Sequence, residues 1–281
     1  MVDTDAAAHA RHVDATRAQF DTLAPVYDSP ETRFFPFCAD QLVDWLRPKP
    51  GTRVLDLATG TGAVAVALAQ AIGGAGRVHG VDISPAMLDK AEQNLRKMKL
   101  TNVDLHTMDA ARLDFKSSYF HYATCSYGLF FLPDMQAALR EWARVLRPGG
   151  TLAFTAFGQS AFQPMLDDFI ERLAAQGVEP PGGQFASRRI ASAAHCGELL
   201  AAAGFDGIEV VTRQLGYHLA DEHAWWKLVE CTLLHGLWLR LEPPAREAFR
   251  LAHLECVRGG VGANGLWLDV ETAFARGVRP S

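Results

Sequence analysis

The sequence predicts an open α/β fold. The expected architecture is a seven-stranded, mostly parallel sheet with helices on both faces, an N-terminal helical arm, and a helical cap inserted before the last strand. Three observations predict it. Short apolar runs alternate with helical patterns between residues 53 and 157, as parallel strands joined by crossover helices do. The first run ends in a glycine turn from which a helix starts at once. A Trp-rich helical stretch from about Asp221 to Cys256 separates the last two strand-like runs and is too apolar for a linker.

The elements follow in order. Phe20, Leu23, Val26 and Tyr27 have helical spacing, and Pro25 marks a bend. A second apolar stripe holds Phe37, Leu42, Trp45 and Leu46, and Arg47-Pro48-Lys49-Pro50-Gly51 stops it. Strands are expected at Arg53–Leu57, Arg77–Val81, Val103–Thr107, Tyr119–Ser126 and Thr151–Phe157. Helices are expected at Ala63–Ile72, from Ser84-Pro85 to about Met98, and at Leu139–Leu146 before the turn Arg147-Pro148-Gly149-Gly150. Ser84 suits an N-cap and Pro85 the first helical position. Further on, Ala161–Gln176 and Cys196–Ala203 look helical, with a loop at Pro180-Pro181-Gly182-Gly183 between them. Strands are expected at Asp206–Arg213 and Trp267–Gly277. These elements divide the chain into an arm (1–50), a core (51–157) and C-terminal strands with the cap (158–281), all integrated in one domain. Trp225, Trp226, Trp238 and Trp267 read most simply as cap core.

Composition excludes several classes. Apolar residues make up 49% and charged residues 21%, which rules out a disordered chain. The net charge is −5 and no dense basic stripe is present, so nucleic acid is not the expected partner. Arg96-Lys97-Met98-Lys99 reads as a solvated helix end. Five scattered cysteines without a C-x-x-C pair point to reduced thiols in the cytoplasm. The polar start of the chain does not look like a secretory signal, and no apolar run reaches about 18 residues, so no transmembrane segment is expected. The ten histidines include no H-x-x-x-H spacing, so no metal site is expected. His218, His223, His235 and His253 lie in or beside the cap, and each is a weak candidate for a general base. Oligomeric state is left open, a homodimer included.

The chemistry lies in Val54-Leu55-Asp56-Leu57-Ala58-Thr59-Gly60-Thr61-Gly62. Gly60 and Gly62 let the backbone turn at the strand's C-terminal end, where open α/β sheets bind ligands. The run Gly60 to Ala65 satisfies the loose dinucleotide pattern G-x-G-x-x-A, with Asp82 twenty residues after Gly62. A nicotinamide-dependent oxidoreductase is therefore one reading. Three features favour another. Asp56, four residues before Gly60, would repel a dinucleotide's phosphates but suits a cationic amino group. Asp109 follows the third strand, where it suits an adenine amino group. No Tyr has Lys four residues later.

The segments VLDLATGTG (54–62), GVDIS (80–84), MDA (108–110) and LRPGG (146–150) occur in order. With Phe20-Asp21, Leu23-Ala24 and Tyr27-Asp28 they make residues 15–157 resemble a class I S-adenosylmethionine-dependent methyltransferase. The resemblance is to the broad group that includes ubiquinone/menaquinone C-methyltransferases, and it implies a Rossmann-like sheet. The resemblance implies S-adenosylmethionine as cofactor, S-adenosylhomocysteine as product, and a small-molecule substrate. It implies that Ala58, Thr59, Gly60 and Gly62 face the methionine part and that Asp56 binds its amino group, directly or through water. Asp82 would accept both ribose hydroxyls. Ile83 and Met87 would flank adenine, and Asp109 and Ala110 would hydrogen-bond it. Tyr27 would close over the cofactor, with Arg33 near its carboxylate. Ser126 and Tyr127 would line the methyl-transfer site.

Two departures bear on the substrate. Phe120-His121 stands where the quinone group often has Phe-Asp, and the Trp-rich insertion replaces a compact terminal hairpin. Ser126-Tyr127-Gly128-Leu129 is not the Asn/Asp-Pro-Pro-Tyr of DNA amino-methylation. Phe34, Tyr127, Phe130, Trp226 and His235 are the expected substrate-pocket residues. The group Phe34, Phe35, Phe130 and Phe131 is either core or wall of a pocket for an apolar or aromatic molecule. A non-catalytic cofactor-binding relative remains an alternative.

Overall fold

The computed structural model describes residues 2–180, 185–190 and 192–281, with side chains from residue 7 onward. Helix α1 (Val2–Leu23) forms the arm, followed by a short 3-10 turn at Pro30–Thr32 and α2 (Phe34–Leu46). The core then runs β1 (Arg53–Leu57), α3 (Ala63–Ile72), β2 (Arg77–Asp82), α4 (Pro85–Lys97), β3 (Val103–Thr107), β4 (Phe120–Ser126), α5 (Met135–Val145) and β5 (Leu146–Phe157). Next come α6 (Met165–Ala174), α7 (Ala193–Ala202), β6 (Asp206–Gln214) and β7 (Tyr217–Leu219). The chain closes with α8 (Glu222–Glu230), α9 (Leu233–Trp238), α10 (Pro243–Arg258), β8 (Val261–Gly262), β9 (Gly265–Leu268) and β10 (Glu271–Val278).

The main sheet has seven strands in the order β3-β2-β1-β4-β5-β10-β6. Only β10 runs against its neighbours, pairing antiparallel with β5 and β6. This is the expected architecture. After β1 the chain builds outward through β2 and β3, then returns to lay β4 on the other side of β1. That reversal opens a crevice at the C-terminal ends of β1 and β4, where a ligand fits. Apolar runs make this possible, since Val54, Leu55, Leu57, Ala123, Phe154 and Phe274 are fully buried between helix layers.

Capping fixes several helix starts as the sequence suggests. The Ser84 hydroxyl accepts from Met87 N at 3.1 Å. Asp134 caps α5 through Ala137 N at 2.8 Å, so α5 begins at Met135 rather than Leu139. Helix α6 is shorter than expected, because the chain turns through residues 158–164 before it. β5 extends back through the expected turn at Arg147–Gly150.

The last expected strand, Trp267–Gly277, is two strands. β10 closes the main sheet, while β9 joins a separate three-stranded sheet ordered β7-β9-β8. Trp267 sits on that small sheet, 42% exposed, with its ring 5.1 Å from His218, so it is not cap core. Trp225 and Trp226 are buried in the cap as expected. Most of the expected loop at Pro180-Pro181-Gly182-Gly183 lies outside the described residues. Among the described residues no helix is long and apolar enough to cross a membrane.

Candidate active site

The loops after β1, β2, β3 and β4 converge on one cleft, roofed by α1. It spans about 750 Å³ of empty space, open solvent included. Tyr27, Ala58, Gly60, Asp82, Ile83, Met87, Asp109, Ala110, Ser126 and Tyr127 line it, all of them expected site residues.

Asp82 is the polar centre. Its Oδ2 accepts from Gly60 N at 2.8 Å and its Oδ1 from Ser84 N at 2.9 Å. Burial pushes its pKa up, and the backbone bonds from Ser84, Gly60 and Ile83 oppose that push. Each oxygen has a lone pair left over, which matches a ligand presenting two hydroxyls. Beside it, Ile83 and Met87 provide apolar wall for a flat ring.

The loop geometry depends on close approach. Gly62 caps α3 with φ of 87°, and a Cβ there would lie 3.1 Å from that of Ala91 on α4. Trp142, fully buried on α5, donates its indole N–H to the Ala110 carbonyl at 2.8 Å. This fixes the backbone that presents Ala110 to the cleft.

The arm closes over the cleft through contacts beyond the expected one at Tyr27. His9 Nε2 meets Asp109 Oδ2 at 2.7 Å, and His12 Nε2 meets the Phe131 carbonyl at 2.7 Å. Ser84 donates its hydroxyl to Asp21 at 2.6 Å, tying α1 to the start of α4. Phe20 packs edge-on against Phe131, with centroids 5.2 Å apart. His9, His12, Val13 and Thr16 were missed because residues nine to sixteen carry no local pattern that points to a partner a hundred positions away.

Four expected cofactor residues do not line the cleft. Thr59 is buried beneath the loop and donates its hydroxyl to Asp56 Oδ2 at 2.6 Å. Asp56 lies below it, 1% exposed, with Oδ1 taken by the Thr124 hydroxyl at 2.7 Å. One carboxylate oxygen therefore braces the loop and the other ties β1 to β4, and Asp56 does not line the cleft. Gly62 sits at the helix junction, facing a surface hollow with Arg33. Arg33 lays its guanidinium 3.7 Å from the Tyr217 ring centroid and donates to the His218 carbonyl, so it points away from the cleft.

Burial raises the Asp56 pKa from 3.8 to about 6, and neighbouring Asp82 adds to the rise, while the Thr59 and Thr124 hydroxyls oppose it. A folded pKa above the unfolded one means that protonation favours the fold. Asp56 thus contributes stability at low pH that is lost as pH rises through about 6. Wild type should lose about 3 kcal/mol relative to Asp56→Asn between about pH 4 and pH 7. Urea unfolding across that range checks this. A difference that stays flat with pH would refute it.

A second hollow adjoins the cleft, sharing Phe20, Tyr27, Tyr127 and Phe131 as common wall. It spans about 640 Å³ of empty space, open solvent included, and is lined almost wholly by rings and aliphatic chains. Phe34 and Phe130 line it as expected, joined by Phe35, Phe157, Phe162 and Phe185. Leu228, Thr232, Leu233 and Leu234 reach it from the cap. Tyr127 stacks on Phe157 at 4.1 Å and bonds its hydroxyl to Thr272 at 2.7 Å.

Trp226 and His235 do not line this chamber. Trp226 turns into the cap, its indole bonded to Glu230 at 3.0 Å. His235 stacks on Trp238, 5.6 Å away. His253 is fully buried, receives the Trp225 indole N–H at 2.8 Å and contacts Asp168 at 2.6 Å, so it is a packing residue. His218 and His223 line neither the cleft nor the chamber.

Known proteins resemble this chain in sequence and in fold. The profile of the ubiE/COQ5 methyltransferase family matches residues 35–190. Aklanonic acid methyltransferase DauC of Streptomyces sp. (strain C5) is 38% identical over 137 residues, covering 49% of this chain and 62% of that protein. The 2-phytyl-1,4-naphtoquinone methyltransferase of Synechococcus elongatus is 37% identical over 162 residues, covering 56% of this chain and 69% of its own length. Among solved structures, YcgJ of Bacillus subtilis superposes with a TM-score of 0.59 at 20% identity, over 87% of this chain and 99% of that one. A Haemonchus contortus phosphoethanolamine N-methyltransferase 2 in complex with S-adenosylhomocysteine superposes at 0.53 and 18% identity, over 90% of this chain and 58% of that one. At such identities the structural likeness is one of fold.

A carboxylate with lone pairs to spare, an apolar slot for a flat ring and a glycine turn beside it fit S-adenosylmethionine. With the profile match over more than half its length, the chain belongs to the ubiE/COQ5 methyltransferase family, whose members are S-adenosylmethionine-dependent enzymes.

Proposed function

We propose that the protein transfers the methyl group of S-adenosylmethionine to a small, apolar, aromatic metabolite. The observation that carries this is the aromatic chamber sharing a wall with the cofactor cleft. The bound cofactor supplies an electrophilic methyl on its sulfonium. The chain's own residues then have to align the acceptor and keep water out. Asp82 would hold the ribose, Tyr27 and the arm would cover the cleft, and the rings of Phe34, Phe130 and Phe157 would hold the acceptor flat. The family match ends at residue 190, while the cap lines the chamber from residue 228 on. The cap would therefore supply part of the wall that selects the acceptor, beside Phe34, Phe130 and Phe157. The net charge of −5 favours a small molecule over nucleic acid as the acceptor.

Titration calorimetry tests the cofactor. S-adenosylhomocysteine should bind and NAD should not. Binding of NAD with none of S-adenosylhomocysteine would refute the reading and favour an oxidoreductase.

Among the described residues the chamber wall holds no Asp, Glu, His, Lys or Arg. Its titratable side chains, Tyr27 and Tyr127, are pushed up from 10 by burial, so neither ionises near neutrality. The acceptor must then carry its own lone pair or lose its proton by itself. The midpoint of kcat/KM against pH should move with the acceptor's pKa when two acceptors of different acidity are compared. A midpoint that stays fixed would mean that a protein group acts as base.

A further inference from the structure

A third hollow, of about 1320 Å³ including its opening to solvent, adjoins the chamber. Phe130, Phe131, Phe185, Ala186 and Leu233 belong to both. Among the described residues the chamber has no charged side chain, whereas this vestibule holds Arg189 and Arg240 and no carboxylate.

Like Arg33, Arg53, Arg246 and Arg279, they bond to backbone carbonyls, and what distinguishes them is their place together at the mouth of the chamber. Arg77, Arg144, Arg172 and Arg258 each pair with an Asp or Glu. Arg189 donates instead to the carbonyls of Phe130, Leu132 and Pro133 at 2.7–2.9 Å. Arg240, just past α9, donates to the Glu179 carbonyl. Among the described residues neither pairs with a carboxylate. Carbonyl dipoles fix a guanidinium in place but leave its charge uncancelled. Two such charges at the mouth of an apolar chamber make a site of positive potential in a chain that is negative overall. Arg240 also has donors to spare, in the planar fork that suits a carboxylate.

We infer that the vestibule is an anion site and that the methyl acceptor is an aromatic carboxylic acid. Its rings lie in the chamber and its carboxylate lies at Arg189 and Arg240. Neither arginine lines the cofactor cleft, so this carboxylate is not the methylated group. Arg189 has a further part, since its three bonds brace the turn that carries Phe130 and Phe131. Arg240 is exposed and braces no ring-bearing turn, which makes it the residue to vary.

The inference rests on the methyltransferase reading, so its test measures both. Wild type saturated with S-adenosylhomocysteine is titrated with 2-naphthoate and with 2-naphthamide, its uncharged counterpart. The acid should bind about tenfold tighter than the amide, as one charge-assisted contact at a partly exposed site implies. The advantage should shrink as salt rises. Arg240→Gln should bring the two probes within about twofold while leaving S-adenosylhomocysteine affinity and Tm unchanged, and Arg240→Lys should keep part of the preference. Equal affinity of the probes in wild type, no binding of either, or an acid preference untouched by Arg240→Gln would each overturn the anion site while the cofactor reading stands. Failure of wild type to bind S-adenosylhomocysteine would overturn both.

Discussion

Asp82→Ala is expected to weaken S-adenosylhomocysteine binding by about 100-fold or more. A carboxylate that accepts two ribose hydroxyls makes two charge-assisted bonds of about 1.5–3 kcal/mol each, and alanine removes both. The change also frees Gly60 N and Ser84 N, which Asp82 now holds at 2.8 and 2.9 Å. The glycine loop and the start of α4 would then lose their common tether. Asp82→Asn keeps one acceptor oxygen and should lose about tenfold. Calorimetry on the folded variants checks both values. An Asp82→Ala protein that binds within about threefold of wild type would show that the ribose is held elsewhere.

Tyr127→Ala is expected to cost about 3–5 kcal/mol of stability and most of the methyl-transfer activity. The ring stacks on Phe157, meets Phe34 and Phe35 edge-on at 6.2 and 5.8 Å, and belongs to both the cleft and the chamber. Its removal leaves a hole at the point where a methyl group would cross. Tyr127→Phe keeps the ring and loses the 2.7 Å bond to Thr272, whose own hydroxyl still donates to the Val270 carbonyl. That variant should lose about 1 kcal/mol and keep its turnover. Urea unfolding with an activity assay separates the two. A Tyr127→Phe enzyme as inactive as Tyr127→Ala would mean that the hydroxyl, not the ring, does the work.

The sheet was legible because its signals are local. A buried strand, a glycine turn and a capped helix occupy consecutive residues, and Ser84, Gly60 and Asp82 carry their meaning in their spacing. The cleft residues that follow strand ends were legible for the same reason. What escaped depends on contacts distant in sequence. His9 reaches Asp109 and His12 reaches Phe131 only once α1 lies across the crevice. Arg33 was misplaced because a cation near a cleft also has the Tyr217 face as a partner. Trp226 was misplaced because both tryptophans of α8 find partners inside the cap, Trp225 at His253 and Trp226 at Glu230 one turn on. The small sheet had a signal in Asn264-Gly265, a turn dipeptide between short apolar runs, which the length of the last strand-like run obscured.

The central claim is methyl transfer to an apolar aromatic acceptor. The most direct measurement incubates the protein with S-adenosylmethionine labelled in its methyl group and an extract of the source cell, followed by solvent partition and mass spectrometry. The account predicts that label appears in an acid-extractable organic fraction, in a product that absorbs as an aromatic, and that Asp82→Ala and Tyr127→Ala both sharply reduce it. Label confined to polar, non-aromatic metabolites, or to macromolecules, would contradict it.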